Sequence, residues 1–182
     1  MSGTEGVMAM TRTVMLVVMT AVAGAGVAAA QGRGPGPGMK GMQGMHDDAH
    51  MADMQGIHAL FAERAKITRT ATPRADGVET LTESDDPAVV RLIQQHVAAM
   101  YVRVENARPI HQRDPLFREV FAHAAKIVMQ QTATARGVRV VETSADPYVA
   151  RLIQAHAEVV SAFLANGPAE MMKNHPVPPR PD

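Results

Sequence analysis

Gly77-Val78-Glu79-Thr80-Leu81-Thr82-Glu83-Ser84-Asp85-Asp86-Pro87-Ala88-Val89-Val90-Arg91-Leu92-Ile93-Gln94-Gln95-His96 returns sixty residues later as Gly137-Val138-Arg139-Val140-Val141-Glu142-Thr143-Ser144-Ala145-Asp146-Pro147-Tyr148-Val149-Ala150-Arg151-Leu152-Ile153-Gln154-Ala155-His156. Both versions read the same way. A β-rich run with partial alternation comes first, then Asp-Pro, then an amphipathic stretch. An Asp accepts hydrogen bonds from the first free amides of a helix, and proline is tolerated just inside that end. In the stretches that follow, Val89, Ile93, His96, Met100 and Val104 fall on one helical face, as do Val149, Ile153, His156, Val160 and Phe163.

The match extends outward without a gap. Phe61-Ala62 and Ala65-Lys66-Ile67 correspond to Phe121-Ala122 and Ala125-Lys126-Ile127, and Asn106 corresponds to Asn166. Agreement on this scale predicts an internal duplication, with copy one over 58–106 and copy two over 118–166. Each copy reads as a short helix, a hairpin and a long helix. The hairpin of copy one pairs Ile67–Thr72 with Val78–Glu83 around Pro73-Arg74-Ala75-Asp76-Gly77, where Asp-Gly is a turn signal. That of copy two pairs Ile127–Thr132 with Val138–Thr143. Asp114-Pro115 opens the first helix of copy two, and Asn166-Gly167 closes the last. The expected fold is α+β: an α-β-β-α unit used twice, giving a four-stranded antiparallel sheet covered by helices, with a pseudo-twofold axis.

Residues 1–30 read as a secretory signal. Arg12 precedes an apolar run from Val14 to Ala30, and Ala28-Ala29-Ala30 before Gln31 fits a small-residue cleavage rule. The acidic, polar opening makes Met8 or Met10 an alternative start. The implied location is the periplasm or the exterior. Residues 31–46 read as a flexible Gly/Pro/Met-rich linker, 47–167 as the duplicated domain and 168–182 as a Pro-rich tail. No later run reaches the ~20 apolar residues of a membrane span. The net charge is zero, which argues against a nucleic-acid partner. There is no cysteine, which excludes disulfides, thiolate metal sites and covalent c-type haem.

The stretches Ile57-His58-Ala59-Leu60-Phe61, 137–144, 151–160 and Lys173-Asn174-His175-Pro176-Val177-Pro178 give the chain its resemblance to an uncharacterised family of exported bacterial proteins. The likeness covers most of the chain after about residue 50 and implies export and a single domain, but no activity.

Methionine and histidine concentrate ahead of the repeat, at Met39, Met42, Met45, His46, His50, Met51, Met54 and His58. Thioether sulfur suits Cu(I), and imidazole serves both copper oxidation states. On a helix, His46, His50, Met54 and His58 step by one turn, so neighbours would share an ion. The alternative is structural: Met54, Ile57 and Phe61 are also spaced as a core stripe. Within the repeat, His96 and His156 hold equivalent places, with Met100 one turn beyond His96 and His123 on the preceding helix. These residues would bind copper or supply axial ligands to a non-covalent haem. Duplication explains the pairing equally well without a ligand. Met171 and His175 form a third, C-terminal pair.

Phosphate loops, nucleophile elbows and zinc helices are all missing, and no acid–base pair stands out. The sequence therefore leads to an expectation of a metal-handling protein, most simply copper-binding and without turnover. Haem binding or redox accessory work is the first alternative. An interaction module without metal is the second. A metal ion is the expected partner, with another periplasmic protein as a second candidate.

Overall fold

A computed structural model describes residues 40–180, with helical backbone alone for 40–47. The signal reading and Met39 lie outside the described residues. So do the side chains of Met42, Met45 and His46. The elements run α1 (Lys40–Ala62), β1 (Ile67–Arg74), β2 (Gly77–Ser84), α2 (Pro87–Glu105), α3 (Pro115–Ala122), β3 (Val128–Thr134), β4 (Gly137–Thr143) and α4 (Pro147–Asn166). Short 3₁₀ turns follow α1, α3 and α4. The fold is α+β, with one four-stranded antiparallel sheet in the order β1-β2-β4-β3.

Two details differ from the sequence reading. Helix α1 begins at Lys40, inside the stretch read as linker. Both hairpins are also tighter: the strands of the first reach Arg74 and resume at Gly77, leaving Ala75-Asp76 as the turn, and those of the second reach Thr134 and resume at Gly137, leaving Ala135-Arg136. Pro73 is accommodated because β1 is an edge strand. Gly77 is therefore a strand residue with a steric task. A Cβ there would sit 1.9 Å from the Glu142 carbonyl oxygen, and one at Gly137 would sit 1.9 Å from the Thr82 carbonyl oxygen. The two glycines let the central strands β2 and β4 close on each other.

The three Asp-Pro caps form as read. Asp86, Asp114 and Asp146 accept from the amides of Ala88, Leu116 and Tyr148, each at 2.9 Å. Lys66 and Lys126 bond the caps Asp86 and Asp146 at 3.0 and 2.7 Å. The long helices lie on one face of the sheet. Gln94 of α2 donates to the carbonyls of Thr134 and Gly137, at the β3–β4 turn. Gln154 of α4 donates to those of Arg74 and Gly77, at the β1–β2 turn. Each helix thus spans the hairpin contributed by the other half of the chain. Val89 and Ile93 pack on Val138 and Val140, while Val149, Ile153 and Ala157 pack on Val78.

The opposite sheet face shows Thr68, Thr70, Thr72, Gln130 and Thr132 exposed. Helix α3 packs on α4 through Leu116, Phe117, Val120, Tyr148 and Leu152. Helix α1 is tied to α2 by Asp53, which accepts from Arg103 Nε at 2.5 Å where both side chains are largely buried. Among the described residues no helix is long and apolar enough to cross a membrane.

Candidate functional site

Between the sheet and the helices lies a cavity of about 230 Å³. Its walls come from every layer. The floor includes Ile67, Thr80, Met129 and Val140; α2 and α4 add Ile93, Val97, Met100, Val160 and Leu164; α1 adds Met54, Ile57 and Leu60. All four phenylalanines of the chain line it, Phe61, Phe117, Phe121 and Phe163. Their rings interlock. Phe61 meets Phe163 edge-on at 6.2 Å, and Phe117 stacks on Phe163 at 5.9 Å.

A few polar groups face this apolar space. Strand alternation aims them. On β1 the inward positions are Ile67 and Arg69; on β4 they are Val138, Val140 and Glu142. Arg69 donates from Nη1 to Thr82 Oγ1 at 2.8 Å and from Nε to Ser161 Oγ at 3.3 Å. Glu142, by contrast, has no hydrogen-bond partner among the described residues. Burial raises its pKa, and the charge of Arg69 only partly offsets this. Arg69 answers in kind: burial lowers its pKa and Glu142 partly restores it.

His96 and His156 both line the cavity, and neither ring bonds another described residue. Phe117 meets His156 edge-on at 5.0 Å. Burial, then the Arg69 charge, holds His156 down at about 4, against a weaker pull from Asp114. Burial also lowers His96, opposed by Asp53. Both imidazoles are therefore neutral at pH 7.

His111 completes the lining from the α2–α3 loop. Its Nε2 is buried without a hydrogen-bond partner and lies 3.9 Å from Asp114 Oδ2. Its backbone is held in the left-handed region at φ 56°, a conformation that L residues other than glycine seldom adopt. Buried polar groups in native proteins are nearly always bonded. His111 Nε2 is such an exception, and Glu142, His96 and His156, half-buried around the same apolar space, add three side chains that bond no other described residue.

The sequence-expected site residues distribute unevenly. Met54, Met100, His96 and His156 meet in the cavity. His50, Met51 and His58 are exposed along α1 and are not gathered with them. His123 is elsewhere: its Nε2 lies 3.3 Å from Glu119 Oε1, and its ring stands edge-on to Tyr148. The two members of the C-terminal pair go to different places. Met171 lines the cavity, while His175 is held outside it by Asp114 Oδ2 at 2.5 Å and Glu170 Oε1 at 3.2 Å. Among the described residues no three or more His, Asp or Glu side chains are grouped to hold a metal ion.

Arg69, Glu142, His111 and the phenylalanines were not singled out by the sequence reading as site residues. A charged residue at an inward strand position was the available signal for the first two. The class these features define is an α+β domain with a partly open, aromatic-lined pocket that carries a few polar groups. Comparison with family models, with curated proteins and with solved structures found no match for the chain.

Proposed function

We propose that the protein binds a small, mainly apolar molecule in this cavity, without turning it over. The observation that carries the reading is a largely apolar space lined by His111, whose Nε2 is buried without a partner, and by Glu142, His96 and His156, which bond no other described residue. Pockets of this make-up, apolar walls with a few placed polar groups, are where proteins hold small ligands. An apolar cavity of ~150 Å³ takes benzene, so this one suits a molecule of roughly ten non-hydrogen atoms. A haem is several times the bulk of benzene, so the proposal does not extend to it.

Toluene added to ten times its dissociation constant is expected to stabilise the fold by about 1.4 kcal/mol. For a domain of this size that raises the melting midpoint by roughly 4 °C. The substitution Val160→Trp, which fills the space, is expected to abolish the effect. No rise with the wild type rejects the reading.

A second reading, copper binding, is favoured by one observation. The thioethers of Met54, Met100, Met129 and Met171 share the cavity with His96 and His156. Thioether and imidazole together suit Cu(I). Cu(I) titrated against a competing chelator tests it: Met54→Ala together with Met100→Ala is expected to weaken uptake. If uptake is unchanged, the cavity holds no copper.

We further propose that the two halves arose by duplication and fold about a pseudo-twofold axis. The paired bonds of Gln94 and Gln154, each made to the opposite hairpin turn, support this. The paired Lys66–Asp86 and Lys126–Asp146 contacts support it too. Export ahead of Gln31 is the location we propose from the sequence.

A further inference from the structure

We propose that the cavity selects a neutral aromatic molecule bearing one hydroxyl-type group, of the phenol class, over charged or non-aromatic molecules of the same size. The inference rests on the small-molecule reading above and adds the chemistry of the ligand to it.

The wall composition argues for the ring. Phe61, Phe117, Phe121 and Phe163 present ring edges and faces, and Met54, Met100, Met129 and Met171 present thioethers. Aromatic groups favour edge-to-face neighbours, and sulfur favours the rim of a ring. An aliphatic ring of equal volume gains neither interaction.

Charge argues for a neutral head. Arg69 and Glu142 face the same space and influence each other's ionisation. Burial disfavours the charged form of each, so the space is set against added charge of either sign. A ligand carboxylate drawn to Arg69 meets Glu142, and a ligand ammonium drawn to Glu142 meets Arg69. Each would also shed its hydration, which an apolar pocket does not replace. The imidazoles of His96 and His156 are neutral and add no charge.

Hydrogen bonding argues for a hydroxyl. Two of the three guanidinium nitrogens of Arg69 are engaged, by Ser161 and Thr82, while Glu142 has no hydrogen-bond partner among the described residues. A phenolic hydroxyl donates to a carboxyl oxygen and accepts from an N–H in the same position. It supplies what Glu142 lacks and leaves the existing Arg69 bonds in place.

The test is calorimetric titration of the full chain at pH 7 with toluene, phenol, benzoate, benzylamine and cyclohexanol. Phenol is expected to bind about tenfold more tightly than toluene, with benzoate, benzylamine and cyclohexanol each at least tenfold weaker than phenol. In Glu142→Leu the advantage of phenol over toluene is expected to vanish while toluene still binds. Toluene binding within that variant also reports that it folds. If benzoate or benzylamine binds as tightly as phenol, the neutral head is wrong. Equal binding of cyclohexanol and phenol removes the aromatic requirement. Toluene binding with phenol no better overturns the hydroxyl alone and leaves the small-molecule reading standing. If none of the five binds, that reading falls with it.

Discussion

His156 is neutral inside the fold and titrates near 6.5 once unfolded. Its folded pKa of about 4 lies below the unfolded value, so the unfolded chain takes up the proton first as pH falls. Folding stability is therefore lost between about pH 6.5 and 4, and a displacement of this size corresponds to roughly 3 kcal/mol. Replacing His156 with Leu removes the titration. Relative to wild type, the variant is expected to gain roughly 3 kcal/mol between pH 7 and pH 4 in denaturant unfolding. An unchanged difference would show that the ring is solvated.

His175 runs the other way. Burial alone would lower its pKa, but the bonds to Asp114 and Glu170 outweigh burial and leave it raised above 6.5. Its contribution is full below that value and fades as pH rises through the folded pKa. Glu170 is held at about 2 by Lys173, His175 and Asn166, so its contribution is full above about 4.5 and fades as pH falls through 2. The C-terminal segment is expected to be held most firmly between those limits. Val177, which packs beside the α3–α4 cluster, reports this. Its methyl resonances should move toward unfolded positions as pH rises through the raised folded pKa of His175, and should do so at every pH in His175→Ala. Resonances that stay fixed in the variant would show that the tail is held by other contacts.

Residue by residue, the caps were plain in the sequence, since Asp-Pro carries its own local chemistry. The polar groups of the cavity were not. Glu142 looks like any acidic strand residue until Val138 and Val140 are counted as its inward neighbours. His111 gave no signal, because a loop residue acquires its burial only from the elements that close over it.

At the scale of elements, two joints carry the most weight. Asp53 and Arg103 fix α1 against α2 from largely buried positions. Removing one partner of such a pair leaves the other charge stranded, so Asp53→Ala is expected to cost roughly 3 kcal/mol. The loss should be seen as faster amide exchange across α1 before the sheet opens. Exchange that is unchanged would mean that Met54, Ile57 and Phe61 hold the helix alone. The second joint is the β2–β4 contact. Gly137→Ala would place a methyl group against the Thr82 carbonyl and is expected to cost about 3 kcal/mol by overpacking. An unfolding midpoint equal to wild type would contradict the register. The long helices and both hairpins were legible because each has a periodic pattern with end signals. The start of α1 was not, since Gly-rich composition reads as linker, and helix formation over 40–46 runs against that local preference.

For the whole molecule, the sequence carried the order of elements but not which helix covers which strands. That depends on long-range contacts such as those of Gln94 and Gln154 with the opposite turns, whose targets are carbonyls and carry no side-chain signature. It also hid the cavity. Met54, the α2 pair His96 and Met100, and His156 come from three segments and meet only through the crossed packing. The most direct test of the proposed binding site is a methyl-methionine NMR titration of the full chain with toluene. The account predicts shifts for Met54, Met100, Met129 and Met171, which line the cavity, and none for the exposed Met51 and Met172. Shifts confined to Met51 and Met172, or absent from all six, would contradict it.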